Sequence, residues 1–104
     1  MPVTTIEGRT VRVDPEGFLT EYAEWDEDLA TALAAQIGIT LTDEHRRAIR
    51  VLRQDYADQG ETATLRRTSQ LTGIPVRQLF VMFPQKPAKK LAYVSALPKP
   101  HGCV

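Results

Sequence analysis

From Trp25 onward the chain is punctuated by helix-stopping residues: Gly38, Gly60, Gly73, Pro84 and Pro98. Helices end readily at such residues, so the chain is held to several short helices in place of one long one. The residues between the stops supply the matching starts. Asp26 is placed to cap a first helix, with Glu27 and Asp28 in its first turn where the helix dipole favours them. Leu29, Leu33 and Ile37, with Ala30 and Ala34, form its apolar face. Thr42 caps a second helix. Ala48, Ile49, Leu52 and Tyr56 form its buried stripe, and Arg46, Arg47, Arg50 and Arg53 are expected to point outward. Thr62 or Thr64 starts a third helix, with Leu65 and Leu71 inward. Pro75 suits the first position of a fourth, carrying Val76, Leu79, Phe80 and Phe83. Pro87 opens a fifth, carrying Ala88, Leu91, Ala92 and Val94. Trp25 and the Phe80/Phe83 pair are expected to fill the core.

The first twenty residues follow a different rule. Val11 and Val13 alternate with Arg12, the period of a strand. Glu7-Gly8 is suited to turn Val3–Ile6 back onto Arg9–Val13 as a hairpin. Asp14-Pro15-Glu16-Gly17 suits a type I turn, followed by a short extended piece at Phe18 and Leu19. The expected fold is mainly α: a small orthogonal five-helix bundle with an N-terminal β-hairpin and a mobile C-terminal arm. Residues 1–97 form the domain and residues 98–104 the arm. A chain of 104 residues suits one such domain, and 42% hydrophobic with 25% charged residues excludes a disordered tail.

The net charge of zero conceals a division. The first 61 residues hold all 13 acidic and 6 basic residues, for −7. Residues 62–104 hold 7 basic residues and no acidic one, for +7. The basic end suits a partner with an acidic rim or a site near RNA, while the acidic half either presents a second docking face or pairs with the basic one. No apolar run approaches the ~20 residues of a membrane span. The N-terminal residues lack the basic-then-apolar pattern of a secretory signal, so a cytoplasmic location is expected.

Cys103 is the only cysteine. Pro98 and Pro100 stiffen the segment before it, and Gly102 loosens the joint next to it. A thiol at the tip of such an arm is placed to enter a partner's site, accept a group and leave. Its thiolate is the reactive form; Lys99 and a protonated His101 favour it, while the terminal carboxylate works against it. Sulfur transfer by thiolate attack is the obvious chemistry. The bland alternative is an unstructured chain end. One cysteine and two histidines do not build a metal site, and no cofactor-binding motif is present. His45, early in the second helix, is expected to be a surface or half-buried residue.

The ending Ala96-Leu97-Pro98-Lys99-Pro100-His101-Gly102-Cys103-Val104, with Phe83-Pro84-Gln85-Lys86-Pro87-Ala88-Lys89 before it, resembles the C-terminal signature of the DsrC/TusE family. That family typically ends Gly-Leu-Pro-Lys-Pro-Thr-Gly-Cys-Val. Glu7-Gly8, Asp14 to Leu19, Trp25 and Leu41 to His45 also follow its pattern in order. The resemblance implies a sulfur carrier that takes sulfane sulfur as a persulfide on Cys103, with Lys99, His101 and Gly102 as auxiliaries on the arm. It implies a sulfurtransferase-like co-substrate for donor and acceptor proteins, with a tRNA-modifying enzyme among the candidates. Members serving dissimilatory sulfite reductase carry a second cysteine eleven residues earlier, where this chain has Ala92. Its absence resembles the TusE branch, which relays sulfur toward 2-thiouridine in tRNA. Tyr93, Arg46 and His101 also depart from residues common in the family.

A second reading comes from residues 64–83, whose helix, turn at Gly73 and helix have the spacing of a helix-turn-helix. Arg66, Arg67, Arg77 and the later lysines would then meet phosphate. The second helix offers mainly Arg77 and Gln78 as polar readers, which argues against direct nucleic-acid binding.

Overall fold

The computed structural model describes residues 3–6 and 8–100. Strand β1 (Val3–Ile6) pairs antiparallel with β2 (Arg9–Arg12), Val3 opposite Arg12 and Ile6 opposite Arg9. Gly8 turns between them with φ 81°, a value that glycine adopts without strain. The Asp14–Gly17 turn closes with Gly17 N–H donating to the Asp14 carbonyl at 2.9 Å. The Asp14 carboxylate accepts from Glu16 N–H and Phe18 N–H. Val13 then bridges Leu19. A short 3-10 turn at Tyr22–Glu24, without a signal in the sequence, leads to the helices.

Five helices follow: α1 (Glu27–Gln36), α2 (Asp43–Gln59), α3 (Leu65–Thr72), α4 (Val76–Met82) and α5 (Pro87–Val94). Asp26, Thr42 and Thr64 cap α1, α2 and α3 with side-chain oxygens. Gly60 and Gly73 end α2 and α3 in the left-handed conformation. Pro75 stands at the N-cap of α4, one residue before the position expected for it. The core joins Val11, Phe18 and Leu19 from the N-terminal segment to Leu29, Leu33, Ile49, Leu52, Leu79, Phe83, Leu91 and Leu97.

Several side chains expected inside lie outside. Phe80 is 44% exposed and Leu71 40%, whereas Phe83 is fully buried. A helix as short as α4 presents one narrow face inward, and Leu79, Met82 and Phe83 fill it. That leaves Val76, Phe80 and Val81 to solvent. On α3 the buried positions are Thr68 and Thr72. Their hydroxyls are satisfied by the carbonyls of Thr64 and Thr68. Trp25 is half-buried against the core, its indole N–H donating to the Val94 carbonyl at 3.0 Å.

Candidate functional site

The end of α5 sets the path of the chain into residues 98–100. Leu97 N–H donates to the Ala92 carbonyl at 3.0 Å, and Ala96 N–H donates to the Tyr93 carbonyl at 3.2 Å. That pair of bonds is a Schellman motif, which reverses the chain at a helix end. Ala96 sits in its left-handed position with φ 56°. Leu97, fully buried, plugs the core just beyond.

Two contacts hold the chain as it leaves the core. Thr62 Oγ1, between α2 and α3, donates to the Pro98 carbonyl at 2.7 Å. Lys99 Nζ lies 3.2 Å from Glu16 Oε1 on the Asp14–Gly17 turn. Pro100 is buried, while Pro98 and Lys99 are exposed. Lys99 therefore already has a carboxylate partner within the domain. Cys103, Gly102 and His101, the remaining residues singled out in the sequence, lie outside the described residues.

Beside this path lies a groove of about 280 Å³. Phe18, Ile37 and Tyr93 form its apolar lining, and Lys86, Lys89, Lys90 and Glu16 its polar one. The Phe18 and Tyr93 rings meet edge-on with centroids 6.0 Å apart. Burial pushes the Tyr93 phenol above its ordinary value, so it stays protonated through the neutral range. Ala92, where the second cysteine would stand, is fully buried on α5.

Arg53 departs from its expected outward pose. Its guanidinium donates to the Ser95 carbonyl at 2.8 Å and to the Tyr22 carbonyl at 2.9 Å. It also lies over the rings of Tyr22 and Trp25, at 3.9 and 4.4 Å. A cation is thus placed at the C-terminal end of α5, where the helix dipole favours it. The sequence hides this contact because the partners lie 31 and 42 positions away.

His45 is also more enclosed than expected, at 8% exposed. Its Nδ1 accepts from Thr42 N–H at 3.2 Å, which requires Nε2 to donate to the Met82 carbonyl at 3.0 Å. Both ring nitrogens are occupied in structure. Among the described residues no cluster of three His, Cys, Asp or Glu side chains converges as metal ligands would.

The α3–α4 pair does not present the surface of a base reader. Arg67 is bound to the buried carboxylate of Asp55, with Nη2 2.6 Å from Oδ1. That carboxylate holds Arg67 above its ordinary value. The exposed side of α4 is mostly Val76, Phe80 and Val81, the last 70% exposed.

Hairpin, five helices and a tail anchored at its base define a small helical domain that carries its distinctive residues beyond the last helix. The chain belongs to the DsrC like protein family, whose model matches residues 5–104. It is 33% identical over 105 residues to "Sulfurtransferase TusE" of Salmonella paratyphi A, covering 94% of this chain and 96% of the relative. The solution structure of Allochromatium vinosum DsrC superposes with TM-score 0.84 at 30% identity, covering 98% and 97% of the two chains. The oxidized gamma-subunit of dissimilatory sulfite reductase (DsrC) from Archaeoglobus fulgidus superposes with TM-score 0.80 at 34% identity, covering 99% and 100%. None of these relationships supports the DNA-binding reading. No described helix is long and apolar enough to cross a membrane.

Proposed function

We propose that this chain is a sulfur-relay carrier, with Cys103 as the atom-bearing residue and residues 98–104 as the arm that presents it. The observation that carries the reading is the end-to-end likeness to a curated sulfurtransferase, combined with a single cysteine in the family's terminal signature. The step is a thiol exchange. The Cys103 thiolate attacks the outer sulfur of a donor cysteine persulfide. The donor's S–S bond breaks, a new S–S bond forms at Cys103, and the donor leaves as a thiolate. An acceptor thiolate then takes the outer sulfur by the same displacement and restores Cys103. No net oxidant is consumed.

With alanine at position 92, this chain cannot close an internal disulfide or trisulfide, so the cargo waits as a persulfide or a mixed disulfide with a partner. That favours the tRNA-thiolation branch over the two-cysteine chemistry, with a donor protein and an acceptor protein as the partners. A reducing cytoplasm suits such a thiol. Lys99 acts on the arm's position through Glu16, and His101 is the basic side chain nearest the thiol in sequence.

The test is incubation with a persulfidated donor followed by intact mass spectrometry. The wild-type chain gains the mass of one sulfur and loses it to a reductant. Cys103→Ser gains none, and a full adduct on that variant would overturn the assignment.

A further inference from the structure

We propose that the groove between the Asp14–Gly17 turn and α5 is the docking site for an acidic segment of a partner protein. One apolar side chain of that segment seats on Phe18, Ile37 and Tyr93, and flanking carboxylates meet Lys86, Lys89 and Lys90. The inference rests on the reading of the chain as a carrier that hands its cargo to other proteins.

Charge complementarity carries the argument. Among the described residues, none of these three lysines has a carboxylate within ion-pair distance, and Glu16 is the only acid lining the groove. Glu16 is itself engaged with Lys99. The sequence from 62 onward contains no acid, so α5 has no neighbour one turn away to neutralise its lysines. Three like charges around an apolar lining repel one another, and a partner bringing the opposite sign relieves that repulsion as it binds. The lining supplies the desolvated contact on which binding energy concentrates, and the rim supplies selection of sign.

The position adds a consequence. A carboxylate arriving at this rim competes with Glu16 for Lys99. Docking therefore weakens the ion pair at the base of the arm at the moment a partner is in place to receive it.

A short fluorescein-labelled peptide, with a leucine–phenylalanine centre flanked on both sides by glutamates, tests this by anisotropy titration at low salt. The peptide binds, and amide shifts in NMR spectra concentrate at Phe18, Ile37 and Tyr93. A glutamine-for-glutamate version binds at least about tenfold more weakly. The double variant Lys89→Glu/Lys90→Glu loses binding by a similar factor, with circular dichroism confirming its fold. Glu16→Gln, which removes the competing carboxylate, tightens binding about threefold. Binding that survives the charge reversal, or shifts centred on α4, overturns the proposal. So does a tenfold gain in affinity on deleting residues 101–104, which would make the chain's own end the occupant. Peptide-driven dissociation of a dimer in sedimentation would make the occupant a second copy and overturns the proposal as well. Cys103→Ser binds the peptide like the wild type. Failure of peptide binding thus condemns the groove alone, and failure of Cys103 to accept sulfur from a small polysulfide condemns the carrier reading.

Discussion

Ala96 holds a left-handed backbone conformation that, among the described residues, only Gln85 shares outside glycine. At the end of α1, Ile39 N–H donates to the Ala34 carbonyl and Gly38 N–H to that of Ala35, the same Schellman pair found after α5. Gly38 takes φ 73° there, and Ala96 takes φ 56° at the equivalent place. A Cβ in the left-handed region crowds the following carbonyl, at a cost of roughly 1–2 kcal/mol. The buried Leu97 and the pinned Pro98 carbonyl hold the turn in spite of it. Ala96→Gly relieves the strain but adds freedom to the unfolded chain, so the net gain is about 0.5–1 kcal/mol. In thermal melts it raises the midpoint by a few degrees, on the order of 4 °C. Gly38→Ala moves it the other way. An unchanged or lowered midpoint for Ala96→Gly would show that the turn is not strained.

At the level of elements, the N-cap of α1 joins stability to pH. The Asp26 carboxylate accepts from Leu29 N–H and from Arg9 Nη1, both at 2.8 Å. These contacts, the backbone bond first, hold its carboxyl below the ordinary value of 3.8. A group lowered on folding contributes stability above its unfolded value and loses it as pH falls through the folded one. Asn caps a helix as well as Asp does but does not titrate. The melting-point advantage of wild type over Asp26→Asn is therefore expected at neutral pH and shrinks below about pH 4. A constant difference across that range would remove Asp26 from the acid response. This cap, like those of Thr42 and Thr64, is legible in the sequence because its partner lies within one turn. The five helices and the hairpin follow from such local signals. Burial on α3 and α4 does not: Val76, Leu79, Phe80, Val81, Met82 and Phe83 leave α4 apolar on every side, and only its packing selects which of them point inward.

Across the whole molecule, the acidic and basic stretches scarcely neutralise each other. Of seven ion pairs among the described residues, only Arg67–Asp55 and Lys99–Glu16 join one stretch to the other. The zero net charge is a sum over two stretches of sequence, and among the described residues five of the second stretch's seven cations are outside any ion pair. The family was legible from the chain's ending, but the anchoring of Pro98 and Lys99 was not, since Thr62 and Glu16 lie 36 and 83 positions from their partners. The same holds for Arg53, which ties three segments together at one point. It reaches from α2 to the Tyr22 carbonyl ahead of α1 and to the Ser95 carbonyl behind α5, and stacks on Tyr22 and Trp25. Trp25 holds the neighbouring Val94 carbonyl, so two side chains satisfy the end of α5 from which the arm departs. Lysine keeps the charge but lacks the planar fork, and so cannot serve both carbonyls and both rings at once. Arg53→Lys should cost about 1–2 kcal/mol, a bond to a charged donor and part of the ring contact. For a domain of this size that is a fall of roughly 5–10 °C in the melting midpoint. If Arg53→Lys melts with the wild type, the arm's base is held by the Schellman turn and Leu97 alone, and the guanidinium is a bystander.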